Sequence, residues 1–172
     1  EKNLHLSNLN MDYSNFKNSD FSGYTFDDGR IQLTDFTRSS LVQANLNNTK
    51  LHDINFTETD LSIADFSGAN LENVNFFYAN ISGTDFSNVS NFKNIKSEGV
   101  IFDENTKFPP GCRVENGIFV GPHMNLVKAN LQSANLADLS FAGSDLTGAN
   151  IQGANIINAD FREVTSLLNV TT

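Results

Sequence analysis

A large apolar residue stands at every fifth position from Leu6 to Phe86 without a miss: Leu6, Met11, Phe16, Phe21, Phe26, Ile31, Phe36, Leu41, Leu46, Leu51, Phe56, Leu61, Phe66, Leu71, Phe76, Ile81 and Phe86. The register breaks, then resumes as Leu126, Leu131, Leu136, Phe141, Leu146, Ile151, Ile156 and Phe161. A period of five fits neither a helix at 3.6 nor a strand at 2, so the chain must turn once per unit. Two residues before each centre the side chain is small or modest, as at Ser14, Thr34, Ala44, Thr59, Ala64, Ala79, Ala134 and Ala149. The residue directly before the centre is Asn or Asp in 12 of the first seventeen units and 7 of the last eight. Such side chains bond to nearby backbone and favour turns. The pattern predicts a short extended piece and a turn, repeated until four units close a square coil of about twenty residues. Coils then stack by parallel ladder bonds about 4.8 Å apart.

Residues twenty apart should therefore lie one above another. On that spacing Phe16, Phe36, Phe56 and Phe76 form one interior ladder, and Phe26, Leu46, Phe66 and Phe86 a second. Met11, Ile31, Leu51 and Leu71 form a third; past the break, Leu131 sits under Ile151 and Phe141 under Phe161. Stacked identical rings suit a continuous core in a protein whose units contact only their neighbours.

Several stretches share one short motif: Ala64-Asp65-Phe66, Ala69-Asn70-Leu71, Ala129-Asn130-Leu131, Ala134-Asn135-Leu136 and Ala149-Asn150-Ile151. This resembles the pentapeptide-repeat family, whose unit is Ala-(Asp/Asn)-Leu-X-X, over about three-quarters of the chain. The resemblance implies an all-β fold, the right-handed quadrilateral parallel β-helix, and a mainly bacterial distribution. It implies no single role. Some family members resemble duplex DNA in width and charge and bind type II topoisomerases such as gyrase.

The breaks divide one structural domain into four parts. Residues 1–86 read as a first stack with an N-terminal cap, 87–125 as an irregular coil with an insertion loop, 126–161 as a second stack, and 162–172 as a C-terminal cap. Phe92 is displaced by one from the frame position at Asn91, and Phe102 falls in the shifted register of an irregular coil. From there to Leu126 the chain carries Asp103-Glu104-Asn105-Thr106, Pro109-Pro110-Gly111 and Gly121-Pro122, the chemistry of a surface excursion. Two readings stand: a recognition loop on a rigid scaffold, with Phe108, Cys112, Arg113 and His123 as contact residues, or a plain connector shielding the ladder edges. The tail, with Val164, Leu167, Leu168 and Val170 out of frame, reads as a cap, the other reading being a homodimer interface at a chain end.

Composition narrows the chemistry. With 11 Lys plus Arg against 20 Asp plus Glu, a net charge of −9 repels phosphate backbones and anionic membrane, so direct nucleic-acid binding is not expected. No apolar run is long enough for a transmembrane helix, and a chain opening on Glu1 rather than Met leaves room for a removed export signal; the compartment, cytoplasmic or exported, stays open. One cysteine, Cys112, allows no internal disulfide. Asp20, Asp35, Asp60, Asp65, Asp85, Asp145 and Asp160 share their slot with Asn, which a catalytic base does not tolerate. His5, His52 and His123 lie far apart, and Asp103-Glu104 lacks the alternating acids of a calcium loop. Arg113 beside Cys112 would favour a thiolate, yet no base accompanies it. The expectation is a non-catalytic chain without cofactor or metal. It binds an unidentified protein partner as a scaffold; the alternative is DNA mimicry toward gyrase or another type II topoisomerase.

Overall fold

The computed structural model describes residues 4–172, so the part of the expected N-terminal cap that falls on residues 1–3 lies outside the described residues. On most walls the five-residue unit closes a turn in which the N–H three residues after the apolar centre bonds the centre's carbonyl, as Ala64 to Leu61 and Ala79 to Phe76, both at 3.0 Å. The residue two after the centre takes a positive φ, from Asn8, Tyr13 and Asn18 through Ile63, Gly68 and Tyr78 to Gly83. A positive φ at the third turn residue is what the type II turn requires. Even the β-branched Ile63 sits at φ 59°, a strain of about 1–2 kcal/mol that a side chain without Cβ would avoid.

The Asn/Asp slot is explained by the same turn. Its Oδ1 accepts the N–H two residues on, as in Thr37 to Asp35 at 2.9 Å, Thr57 to Asn55 at 3.1 Å, Ser67 to Asp65 at 2.9 Å and Thr147 to Asp145 at 2.9 Å. Only one carbonyl-type oxygen is needed, which is why amide and carboxylate interchange there.

Successive coils pair in parallel. On one wall the pairing is long enough to form strands: β1 (Arg30–Gln32), β2 (Lys50–His52), β3 (Asn70–Glu72) and β4 (Asn91–Lys93), with Ile31 opposite Leu51, Leu51 opposite Leu71 and Leu71 opposite Phe92. The other walls are held by single bridges, such as Asn15–Asp35–Asn55–Asn75, Asp20–Ser40–Asp60–Asn80 and Thr25–Asn45–Asp65–Asp85. Among the described residues there is no helix. The fold is the right-handed quadrilateral β-helix.

Inside, Phe36, Phe56, Phe76, Phe26, Phe66, Phe86, Leu131 and Phe141 are fully buried. The ring centroids of Phe16, Phe36, Phe56 and Phe76 follow one another at 5.3, 5.4 and 5.5 Å, and Phe141 lies 4.9 Å from Phe161. In the central coils the small residue two before the centre is buried too, and a hydroxyl there donates to a carbonyl, of the coil below in Thr59 to Phe36 and Thr84 to Leu61, both at 2.8 Å, and of its own turn in Ser39 to Phe36 at 2.6 Å. A buried hydroxyl therefore costs nothing in unpaired groups. Burial falls off toward the ends: Phe16, Ile151 and Phe161 are half-buried, and Ile156, a centre expected to face inward, is 48% exposed.

Within 87–125 the coil and the excursion are distinct. Residues 91–107 remain in the ladder: Asn91 pairs with Asn70, Lys96 with Asn75, Ile101 with Asn80 and Lys107 with Asp85. Spacings of 21 and then 22 residues show extra residues absorbed at corners. Phe108 follows Lys107 as Phe86 follows Asp85, so it occupies the rung above Phe86, and it is half-buried. Phe102 reaches the corresponding position above Ile81 but is 45% exposed, its ring 6.1 Å from that of Phe108. What leaves the coil is 109–122, built on an antiparallel hairpin of β5 (Arg113–Glu115) and β6 (Ile118–Val120). The tail likewise stays in the ladder, with Ser166 bridged to Asp145 and Thr171 to Asn150. The cap at 162–172 is thus one more partial turn, slipped by one residue.

Candidate functional site

Among the described residues, an antiparallel hairpin outside the repeat lies at the joint between the stacks. The hairpin turns at Asn116-Gly117, both with positive φ (51° and 73°), the preferred pair for a two-residue hairpin. Ile118, Phe119 and Val120 are all buried, so both faces of β6 are covered. Phe119 fills a gap: the rung above Phe76 is Ser97, too small to continue the ladder, and the Phe119 ring stands 5.9 Å from Phe76, 6.2 Å from Phe86, 5.4 Å from Phe92 and 5.7 Å from Phe108. Its N–H donates to the Ser97 hydroxyl at 2.7 Å. Being off the five-residue frame, Phe119 carries no periodic signal; the Asn-Gly dipeptide between apolar residues was the signal available.

The hairpin's polar side chains take over the ladder. In a regular wall the carbonyls of one coil accept N–H groups from the coil below, as Asp145 from Leu126 and Thr147 from Lys128, both at 2.8 Å. For the first coil of the second stack, side chains do this instead. The Arg113 guanidinium donates to the carbonyl of Asn135 and, at 3.1 Å, to that of Ala137. The Asn116 amide donates to Asn130 at 3.3 Å and Gln132 at 3.0 Å, and the Glu115 carboxylate accepts the Asn135 N–H at 3.1 Å. Arg113 Nε also stands 3.1 Å from Glu115 as an ion pair without hydrogen-bond geometry.

The four loop residues singled out in the sequence are brought to this joint in different roles. Phe108 packs against the core beside Phe119. Burial pushes the Cys112 thiol up to about 11, the opposite of what a neighbouring Arg113 would do; that guanidinium is engaged with carbonyls. His123 is exposed, with φ 60°, its ring over Gly143 and its N–H bonded to the Ala142 carbonyl at 2.9 Å. Gly143 leaves room for that ring where a Cβ would collide with it.

Elsewhere the polar groups are turned to structure. Asp103 is held below the usual carboxylate range first by the Gly83 N–H, at 2.8 Å, and then by Asn105 and Thr106. Asp85 is lowered to about 2, chiefly by Lys107 at 2.8 Å and Ser87, and Asp160 to about 2 by Arg162. His52 approaches Glu72 at 3.9 Å. Among the described residues no group of three His, Cys, Asp or Glu side chains is placed to hold a metal ion, and no helix is long and apolar enough to cross a membrane.

A model of the pentapeptide repeats matches residues 54–90 and 125–162, with eight copies. No curated protein matches the chain. Among solved structures it is similar to the pentapeptide-repeat protein Rfr23 of the cyanobacterium Cyanothece 51142, at 19% identity and a TM-score of 0.41, over 60% of this chain and 90% of that one. It is similar to QnrB1, a plasmid-mediated fluoroquinolone resistance protein, at 14% identity and 0.44, over 96% and 92%. It is also similar to a pentapeptide-repeat protein of the Arabidopsis thaliana thylakoid lumen, at 25% identity and 0.34, over 73% and 70%.

Proposed function

From the premise that the chain belongs to the pentapeptide-repeat family, we propose that it is a non-catalytic scaffold that binds a protein partner through the joint at residues 108–128. The observation carrying this reading is that the repeat walls spend their polar groups on turns and ladders, whereas the joint offers irregular surface at mid-rod. The interior is filled by stacked rings, which leaves the exterior as the working surface. Eight rungs on the wall of Asn15, Asp35, Asn55, Asn75, Lys96, Asn125, Asp145 and Ser166 make a rod about 34 Å long, enough for a standard interface. The test is a pull-down from the source organism's lysate with the wild-type chain and with a variant whose residues 108–124 are replaced by plain repeat units. A partner captured by the first and lost by the second supports the reading; equal capture removes it.

DNA mimicry toward a type II topoisomerase is the second reading, favoured by the net charge of −9. Its difficulty is magnitude. Duplex DNA carries a charge per ~1.7 Å, so a rod of this length needs about twenty on its outside. Of the 20 acids in the chain, Asp12, Asp35, Glu58, Glu72, Asp85, Glu115 and Asp160 are each beside a cation. A gyrase supercoiling assay separates the two: salt-sensitive inhibition at micromolar protein puts mimicry first, and no effect at saturation leaves the scaffold. The exposed Ile156, Ile157, Leu167 and Leu168 support a second copy docking at that end of the rod; sedimentation equilibrium at rising concentration checks it, and a strictly monomeric result rejects it.

A further inference from the structure

Between the two stacks one wall opens. Below the joint, Phe76 and Tyr78 donate to the carbonyls of Lys96 and Glu98, and above it Leu126 and Lys128 donate to those of Asp145 and Thr147, all at 2.8 Å. Between residues 96–99 and 125–128 the ladder starts, with Asn94 N–H to the His123 carbonyl at 2.7 Å and Asn125 N–H to the Ile95 carbonyl at 3.3 Å. It then stops. The next bonds in the pattern would run from Ser97 and Gly99 to the carbonyls of Asn125 and Val127; among the described residues those two carbonyls accept no hydrogen bond. The two wall segments stand apart there, leaving an open cleft of about 310 Å³ with Ile118 in its lining.

The cleft has two chemical characters. Phe77, Ile118, Val127 and Ala129 give it apolar walls, Val127 being 41% exposed. Lys96 and Lys128, both exposed, line the same cleft, with Glu98 the single acid, so the local balance is cationic in a chain of net charge −9. Asn125 stands at a wall position and Val127 opens the turn that follows it, so their two idle carbonyls form a short ladder edge awaiting donors, and a peptide adding as a strand supplies donors every second residue while its side chains alternate between pocket and solvent.

We propose that this cleft is a docking site for an extended, acidic segment of a partner protein, which pairs its N–H groups with the Asn125 and Val127 carbonyls, seats apolar side chains against Phe77 and Val127, and places carboxylates by Lys96 and Lys128. The inference rests on the scaffold reading and gives it a site and a partner chemistry. The probe is a capped heptapeptide of alternating valine and glutamate, titrated into the isotopically labelled full chain and followed by amide resonances. Saturable shifts at residues 96–99 and 125–129, an affinity at least tenfold weaker in the K96E/K128E variant, and loss of binding when the peptide's N–H groups are methylated are the expected results. No shift at the cleft at millimolar peptide, equal binding of a valine–lysine peptide, or undiminished binding of the methylated one overturns the proposal. If the cleft fails while the pull-down still depends on residues 108–124, the scaffold reading stands and only this site falls.

Discussion

In the regular coils, backbone pairs with backbone: the Asn55 N–H meets the Thr34 carbonyl at 3.0 Å, the Phe56 N–H meets the Asn75 carbonyl at 2.8 Å, and the same bonds recur one coil up. At the joint, the carbonyls of Asn130, Gln132, Asn135 and Ala137 meet side chains of Arg113 and Asn116 instead. Both arrangements pair the polar groups of a ladder edge, but they differ in how they fail. A wall bond needs only a chain of the right shape and survives most substitutions. A joint bond belongs to one side chain and disappears with it.

The largest expected break is in the regular core. Phe56→Ala removes a ring stacked between Phe36 and Phe76 and should cost about 3–5 kcal/mol, read as a lowered midpoint in urea unfolding. Phe119→Ala should cost nearly as much, about 3 kcal/mol, with a different signature. Because that ring ties the last rungs of the first stack to the hairpin, the variant should unfold in two steps, visible as non-coincident fluorescence and circular-dichroism transitions; a single coincident transition contradicts the tie. Arg113→Ala hands the carbonyls of Asn135 and Ala137 to water and should cost about 0.5–1.5 kcal/mol, with faster amide exchange confined to the coil 125–141.

The smallest effects sharpen the comparison on the wall side. Asp65→Asn keeps the oxygen that accepts the Ser67 N–H at 2.9 Å and should change stability by no more than about 0.5 kcal/mol. Asp85 is titratable where such amides are not. Its folded pKa, about 2, lies below its ordinary 3.8, so its contribution is present above 3.8 and lost as pH falls through about 2. Lys107→Met should therefore flatten the acid limb of the stability curve in that window, and an unchanged limb assigns acid sensitivity elsewhere.

The comparison also separates what was legible from what was not. The Phe36–Phe56–Phe76 ladder could be read because its cause is local and repeated: each unit states the same turn and the same inward residue. Phe119 could not, because its place is set by the small Ser97 twenty-two residues earlier. Arg113 and Asn116 were hidden for a related reason. Their partners are main-chain carbonyls, which no residue identity announces. The one-residue displacement of Phe92 was visible in the sequence; that it still lands opposite Leu71 was not, because pairing across a shifted frame depends on how the corner absorbs the extra residue.

That landing has a wider meaning for the rod. An added residue near Ser87–Ser90 puts the numbering out of phase by one, and a second is taken in before Lys107, yet the rungs above Leu71, Asn80 and Asp85 stay occupied. Corners are slack and walls are not. Such a molecule tolerates changes of length at its bends as a spiral binding tolerates an uneven page, so its surface can be re-lettered, and even stretched into a hairpin, without reopening the spine.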